Sequence, residues 1–225
     1  MRHIHPKLLL VEGAEDKRTI PELMKAHGVQ WDIAQQGRGT PQRVIEIQEC
    51  KGYANLSKAD IIAAALDVSG RTALGIVIDA DEEPIDRWKS IRNSCLKSIP
   101  DLPNILPETG LIHQAHSSSG NPIKFGIWMM PDNQQQGMLE TFLAYLVRDE
   151  QDELWQYAQE VAQIAKTKGA SWKEVHRDKA NIHTWLAWQD PTGCQIHQAI
   201  TKRILDPKHL RSQLFVAWFR ELYSL

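Results

Sequence analysis

Leu8-Leu9-Leu10-Val11-Glu12-Gly13-Ala14-Glu15-Asp16 decides the reading of the fold: an apolar run stops at a carboxylate, turns on a glycine and resumes as a charged, helix-like segment. The pattern predicts a buried strand that delivers Glu12 to a sheet edge and then enters the first helix of a βαβ unit. Glu12 and Asp16 lie four apart, so both face one crevice if the helix begins at the turn. Asp16 otherwise serves only to complement the helix N-terminus.

A second apolar run, Gly75-Ile76-Val77-Ile78, also ends in acid, at Asp79-Ala80-Asp81. In an extended chain residues two apart point the same way, so Asp79 and Asp81 present their carboxylates together. Their alternative role is N-terminal charge, with Glu82 and Glu83, for a helix starting near Pro84. A third strand, 124–130, runs into Pro131-Asp132-Asn133 and then Gly137-Met138-Leu139-Glu140. Glu140 opens a helix and either reaches back to the crevice or favours the helix dipole. In parallel α/β sheets the functional crevice lies at the carboxyl ends of the strands. Acids meeting there raise one another's pKa unless a cation sits among them, and a hard divalent ion such as Mg²⁺ is the simplest occupant.

With 225 residues the chain suffices for one large domain or a domain with an appended lobe. Its 42% hydrophobic and 24% charged residues carry no disorder signature. A net charge of -2 gives no global attraction to nucleic acid, although bound metal or a local basic groove would still allow a nuclease. The longest apolar runs, Leu8–Val11 and Ile61–Leu66, fall far short of the roughly 20 residues that span a bilayer. The start, Met1-Arg2-His3-Ile4-His5-Pro6, has no secretory pattern, and Cys50, Cys95 and Cys194 have no metal-ligand spacing. Reduced thiols and a cytoplasmic location are the expectation.

Along the rest of the chain the patterns predict a helix over Glu15–His27 stopped by Gly28 and an edge strand over Val29–Ile33. Gly37-Arg38-Gly39-Thr40-Pro41 reads as a turn with some likeness to a phosphate-cradling loop, but it lacks GxxxxGK[ST]. Helices follow over Gln42–Cys50, over Ser57–Val68 with Ser57 as N-cap, and over Ile85–Leu96. Pro100–Pro107 reads as an exposed loop, and residues 117–122 as a turn between two strands. His113 and His116 are either ligands or polar strand-end residues. From Gln151 onwards the pattern is helical, with Leu154, Tyr157, Ala158, Val161, Ala162, Ile164 and Ala165 on one face. Ser171-Trp172-Lys173-Glu174 has the form of a capping box. His176, Lys179 and His183 on adjacent turns either line the crevice or form a solvated face. Trp185 and Trp188 sit among apolar neighbours and fit core packing better than base stacking.

Val11-Glu12-Gly13 with Asp16, and Ile78-Asp79-Ala80-Asp81, together resemble the Toprim domain of topoisomerases, primases and the overcoming-lysogenization-defect nucleases. Met130-Pro131-Asp132-Asn133 through Gly137-Met138-Leu139-Glu140 is similar to the Gly-x-Leu-Glu element of the nuclease branch. The likeness to Toprim proper covers residues 7 to about 148, and the remainder matches only small stand-alone bacterial Toprim-like proteins. The resemblance implies a Toprim-like (Rossmann-like), mostly parallel central sheet flanked by helices over 1–148, with an all-helical lobe over 149–225 packed on it. It further implies that Glu12, Asp79 and Asp81 hold a first Mg²⁺ (or Mn²⁺), and that Asp16 and Glu140 help to place a second. Lys179 is the candidate for the lysine that nuclease-branch members keep near the metals. No tyrosine is assignable as a topoisomerase nucleophile.

The function so implied is a two-metal nuclease, a hydrolase that cleaves DNA or RNA by in-line attack of water, with Glu12 alternatively a general acid/base. The rival is a non-catalytic metal-binding module that serves as partner subunit of an ATPase. A phosphatase or nucleotide hydrolase of small substrates is the third reading.

Overall fold

The computed structural model describes residues 5–33, 42–148 and 152–225. In chain order the elements are β1 (Lys7–Val11), α1 (Ala14–Ala26), β2 (Asp32–Ile33), β3 (Gln42–Arg43), β4 (Glu46–Glu49), α2 (Tyr53–Leu56), α3 (Ala59–Leu66) and β5 (Ala73–Asp79). Then come α4 (Pro84–Cys95), β6 (Leu111–His116), β7 (Pro122–Met130), α5 (Leu139–Ala144), α6 (Glu153–Thr167), a 3₁₀ turn (Glu174–His176), α7 (Arg177–Leu186) and α8 (Ile196–Thr201). A second 3₁₀ turn (Leu210–Ser212) leads into α9 (Gln213–Tyr223).

The central sheet has the order β4-β1-β5-β7-β6. Its first four strands are parallel, and β6 runs antiparallel along the edge of β7. The architecture is α/β: a mixed sheet flanked by helices, with an all-helical C-terminal lobe. Period-two alternation divides the apolar strands between two cores. Leu9, Val11, Ala73, Val77, Trp128 and Met130 face α1, α5 and the C-terminal helices. Leu8, Leu10, Leu74, Ile76, Ile78, Phe125, Ile127 and Met129 face α3 and α4.

On the first face Gly75 and Gly126 stand side by side in register. Their missing side chains leave a flat seat for α9. A Cβ at Gly75 would lie 2.5 Å from Tyr223 Oη and 2.8 Å from Leu9 Cδ1, and one at Gly126 would lie 2.9 Å from Leu222 Cδ2. Tyr223 Oη donates to Leu8 O at 2.8 Å, and Trp218 Nε1 donates to Leu111 O at 2.9 Å. The last helix thus belongs to the core of the sheet.

The chain leaves β1 through α1 on one face to reach β4, then returns through α3 on the other face to β5, on the far side of β1. The carboxyl ends of β1 and β5 therefore flank a topological switch point, where open α/β sheets form their crevices.

Several local expectations differ from the structure. Gln42–Cys50 is extended rather than helical: Ile45 and Ile47 are buried while Glu46 and Gln48 are exposed, the alternation of a strand. In Val29–Ile33 only Asp32–Ile33 pairs, with Gln42–Arg43 in a separate two-stranded sheet, while Val29 and Trp31 are buried in the core. Ser57 ends α2, and the residue preceding α3 is Lys58. The proline-rich loop is anchored: Leu102 and Leu106 are buried, and Arg92 donates to the carbonyls of Leu102 and Pro103. α6 buries Trp155, Ala158 and Ala162 but exposes Leu154, Tyr157 and Ile164, because Trp155 sets its inward face against Trp185. Ser171–Glu174 forms no capping box; the 3₁₀ turn starts after Lys173 without a side-chain cap. Gly37–Pro41, the Met1–Ile4 start and the expected boundary at 148/149 lie outside or against residues beyond the described ones. Among the described residues no helix is long and apolar enough to cross a membrane.

Gly75→Ala is expected to force α9 away from the sheet and to cost about 1–3 kcal/mol, the usual penalty for overpacking a close contact. Urea denaturation midpoints of variant and parent check it.

Candidate acidic site at the strand ends

Three strand ends are stitched together by backbone hydrogen bonds. Gly52 N donates to Glu12 O at 2.8 Å, and Ala80 N donates to Met130 O at 3.0 Å. Asp81 and Gly137 exchange both of their amide bonds, at 2.9 and 2.8 Å. Gly137 is required here, because it sits at φ +137° and a Cβ would lie 2.6 Å from Thr141 Oγ1. Asn133 holds the approach to this loop by accepting from Met129 N and donating to Glu108 O.

This frame brings the acids together. Glu12 Oε1 accepts from the Asp79 amide at 2.9 Å, so the first and second acid-tipped strands are in direct contact. Asp16, buried in the first turn of α1, accepts from Gly13 N at 3.0 Å. Asp79 Oδ1 accepts from Leu139 N at 3.0 Å and thereby caps α5. That places Glu140, also buried, beside the same crevice. Lys179 arrives from α7 and pairs with Glu140 at 2.6 Å.

The electrostatics record the crowding. Burial, then the charges of Glu12 and Glu140, push Asp16 up from 3.8 to about 7, against the hydrogen bond from Gly13. Asp79 is held well above its ordinary value by burial and by Asp16, Glu12 and Glu140. Glu12 is raised by burial, against the Asp79 amide, the Arg87 charge and the Tyr53 amide. Burial opposes the charge on Lys179, but Glu140, Asp79 and Glu15 outweigh it and raise its pKa.

Asp81 behaves differently. Its φ of +52° ends the extended alternation, so it does not share a direction with Asp79 as the spacing predicted. Its carboxylate pairs with Arg87 of α4, whose guanidinium lies 3.8 Å above the Tyr53 ring. Neither Arg87 nor Tyr53 was legible as part of a site, since no periodicity relates them to the acids. His113 and His116 lie toward the opposite end of the sheet, where β6 pairs with Phe125 and Pro122; His113 bonds Asp101 at 3.1 Å. His183 is exposed, whereas His176 lines a cleft in front of Asp81. Trp185 is core, and Trp188 stacks on Tyr157 at the surface.

By donor chemistry the set suits a hard cation, since every acid offers carboxylate oxygens and their mutual repulsion would be relieved by positive charge. As they stand, among the described residues, no three His, Cys, Asp or Glu side chains are arranged to hold a metal ion. Each of the five carboxylates is turned onto its own donor.

Because its pKa is raised, Asp16 binds a proton more tightly in the folded chain than in the unfolded one between its ordinary 3.8 and about 7. Stability from this group is therefore greatest on the acid side and falls as pH rises through that window. With a chelator present, the parent is expected to show a lower urea midpoint at about pH 8 than at about pH 5, and Asp16→Asn to narrow the difference. An unchanged difference would remove Asp16 as its source.

No curated protein and no solved structure matches the chain. One family model does, that of a protein of unknown function named DUF3226, over residues 6–224. The match runs from the start of β1 to the end of α9 and takes in every acid of the cluster, so the chain belongs to the DUF3226 family.

Proposed function

We propose that the chain is a divalent-metal-dependent hydrolase of phosphodiester bonds in nucleic acid, with a Toprim-like core. The observation that carries this reading is the meeting of Glu12, Asp16, Asp79 and Glu140, drawn from three strand ends, at the switch point of the sheet. A purely structural role would not call for so many buried and half-buried carboxylates side by side, since a buried charge costs stability unless it is paired.

Glu12, Asp16, Asp79 and Glu140 are the residues that would hold Mg²⁺ or Mn²⁺, joined by Asp81 once it leaves Arg87. The metal, when bound, would supply Lewis-acid stabilisation of charge on the phosphoryl group. Lys179, tied to Glu140 and acting on Asp79, brings a fixed positive charge to the side of the crevice where a scissile phosphate would lie. Glu12, with its pKa raised, is suited to accept a proton from the attacking water.

The net charge of -2, which gives no global attraction to nucleic acid, favours a second reading, in which the chain is a metal-binding subunit that acts only beside an ATPase. The two separate on one experiment. Purified protein with Mn²⁺ is expected to cleave single- or double-stranded oligonucleotides, and Asp79→Ala to lower the rate by about 10²-fold or more. Mn²⁺ binding without cleavage would transfer the assignment to the second reading.

A further inference from the structure

Ile85 is 70% exposed and Ile105 is 79% exposed. Exposed apolar side chains standing singly are ordinary. These two, however, line one groove of about 270 Å³, whose walls also include Pro84, Trp88, Leu106 and Met129. Ile85 stands three residues before Trp88, close to one turn along α4, so the apolar side of that helix runs on past the part the proline-rich loop covers. Ile105 faces it from that loop, which Trp88 Nε1 ties down by donating to Asn104 O at 2.9 Å.

The groove is smaller than the roughly 300–1,000 Å³ of most small-molecule sites, and it offers few polar handles. Asn133 on its wall has both ends of its amide engaged, by Met129 N and Glu108 O, and the Asn104 carbonyl takes the indole of Trp88. Apolar side chains fit it better. They do not arrive on an added strand, since β7 is already paired on both edges, by β5 and β6.

The rim is acidic. Glu82, Glu83 and Asp86 are exposed at the start of α4, where they also favour the helix dipole. Glu108 and Asp132 extend the same sign from two other segments, for Glu108 is exposed beside the Asn133 amide and Asp132 immediately precedes Asn133. The neighbouring cations are engaged: Lys89 with Asp86, Arg87 with Asp81, and Arg92 with the carbonyls of Leu102 and Pro103. A second copy docking by the same face would set acid against acid, because a two-fold interface pairs one patch with itself.

We propose that this groove is the docking site for a partner protein. An amphipathic helix of that partner inserts apolar side chains between Ile85 and Ile105 and sets lysine or arginine against the acidic rim. Docking there is independent of the chemistry proposed above, since no groove residue belongs to the acidic cluster.

The probe is a labelled helical peptide of about four turns, with leucine on one face and lysine on the other, and a control peptide with glutamate in place of lysine. Fluorescence anisotropy with the full chain, a chelator being present, is expected to show binding of the lysine peptide and none of the glutamate peptide. Ile85→Ser combined with Ile105→Ser, at exposed positions that leave the core intact, is expected to weaken binding about tenfold. Leu210→Ser is expected to leave it unchanged, for Leu210 is 73% exposed just ahead of α9, which packs on the opposite face of the sheet from α4. Glu82→Lys combined with Glu83→Lys is expected to weaken binding severalfold and to flatten its dependence on salt. No binding, equal binding of the two peptides, or parent-like binding by the double isoleucine variant overturns the proposal. So does sedimentation of the parent as a dimer that the double isoleucine variant dissociates, which assigns the face to a second copy.

Discussion

Burial of carboxyl groups beside one another, at Glu12, Asp16, Asp79 and Glu140, is the constraint around which the strand-end region is arranged. Carboxylates placed this close are tolerated only where something offsets their charge, and the fold offsets it in pieces. Backbone amides of Gly13, Asp79 and Leu139 each face one oxygen. Two cations from helices far apart in the chain, Arg87 of α4 and Lys179 of α7, cover the remaining acids. The amides belong to the termini of β5, α1 and α5, so the secondary structure and the acidic cluster stabilise one another. The helical lobe takes part in the same arrangement, for α7 supplies Lys179 and the 3₁₀ turn ahead of it closes the front of the clefts beside Asp81.

How much of this could be read from residues alone follows from how local each signal is. An apolar run ending in acid is a contiguous pattern, so the strands carrying Glu12 and Asp79 and their convergence were legible. Glu140 was legible as an acid opening a helix, and its partner Lys179 stood in a helical pattern that fitted the crevice as well as a solvated face, with the family likeness tipping it toward the site. The left-handed backbone at Asp81 was not legible, because nothing in Asp79-Ala80-Asp81 requires the chain to leave the extended conformation there. The requirement comes from Gly137, 56 positions later, which pairs with Asp81 and holds the turn. Arg87 and Tyr53 escaped for the same reason: their contact depends on how α2 and α4 meet.

Periodicity misled where two readings fit a short run. Val44, Ile45 and Ile47 satisfy a helical turn as well as a strand, and pairing with β1 decided in favour of the strand. In α6 the apolar residues outnumber the places available inside. The large ring of Trp155 claimed the interior, which left Leu154, Tyr157 and Ile164 outside.

The seat that Gly75 and Gly126 provide for α9 bears on the order in which the molecule is assembled. Tyr223 closes against Leu8 across 215 positions of sequence. A nascent chain that has already formed its five-stranded sheet still shows bare glycine and greasy side chains on one face until α9 leaves the ribosome. Contacts of such long range close slowly, and an uncovered sheet face in the meantime invites association with other chains. Synthesis thus passes through an interval in which the sheet's Gly75–Gly126 face waits for α9 to cover it.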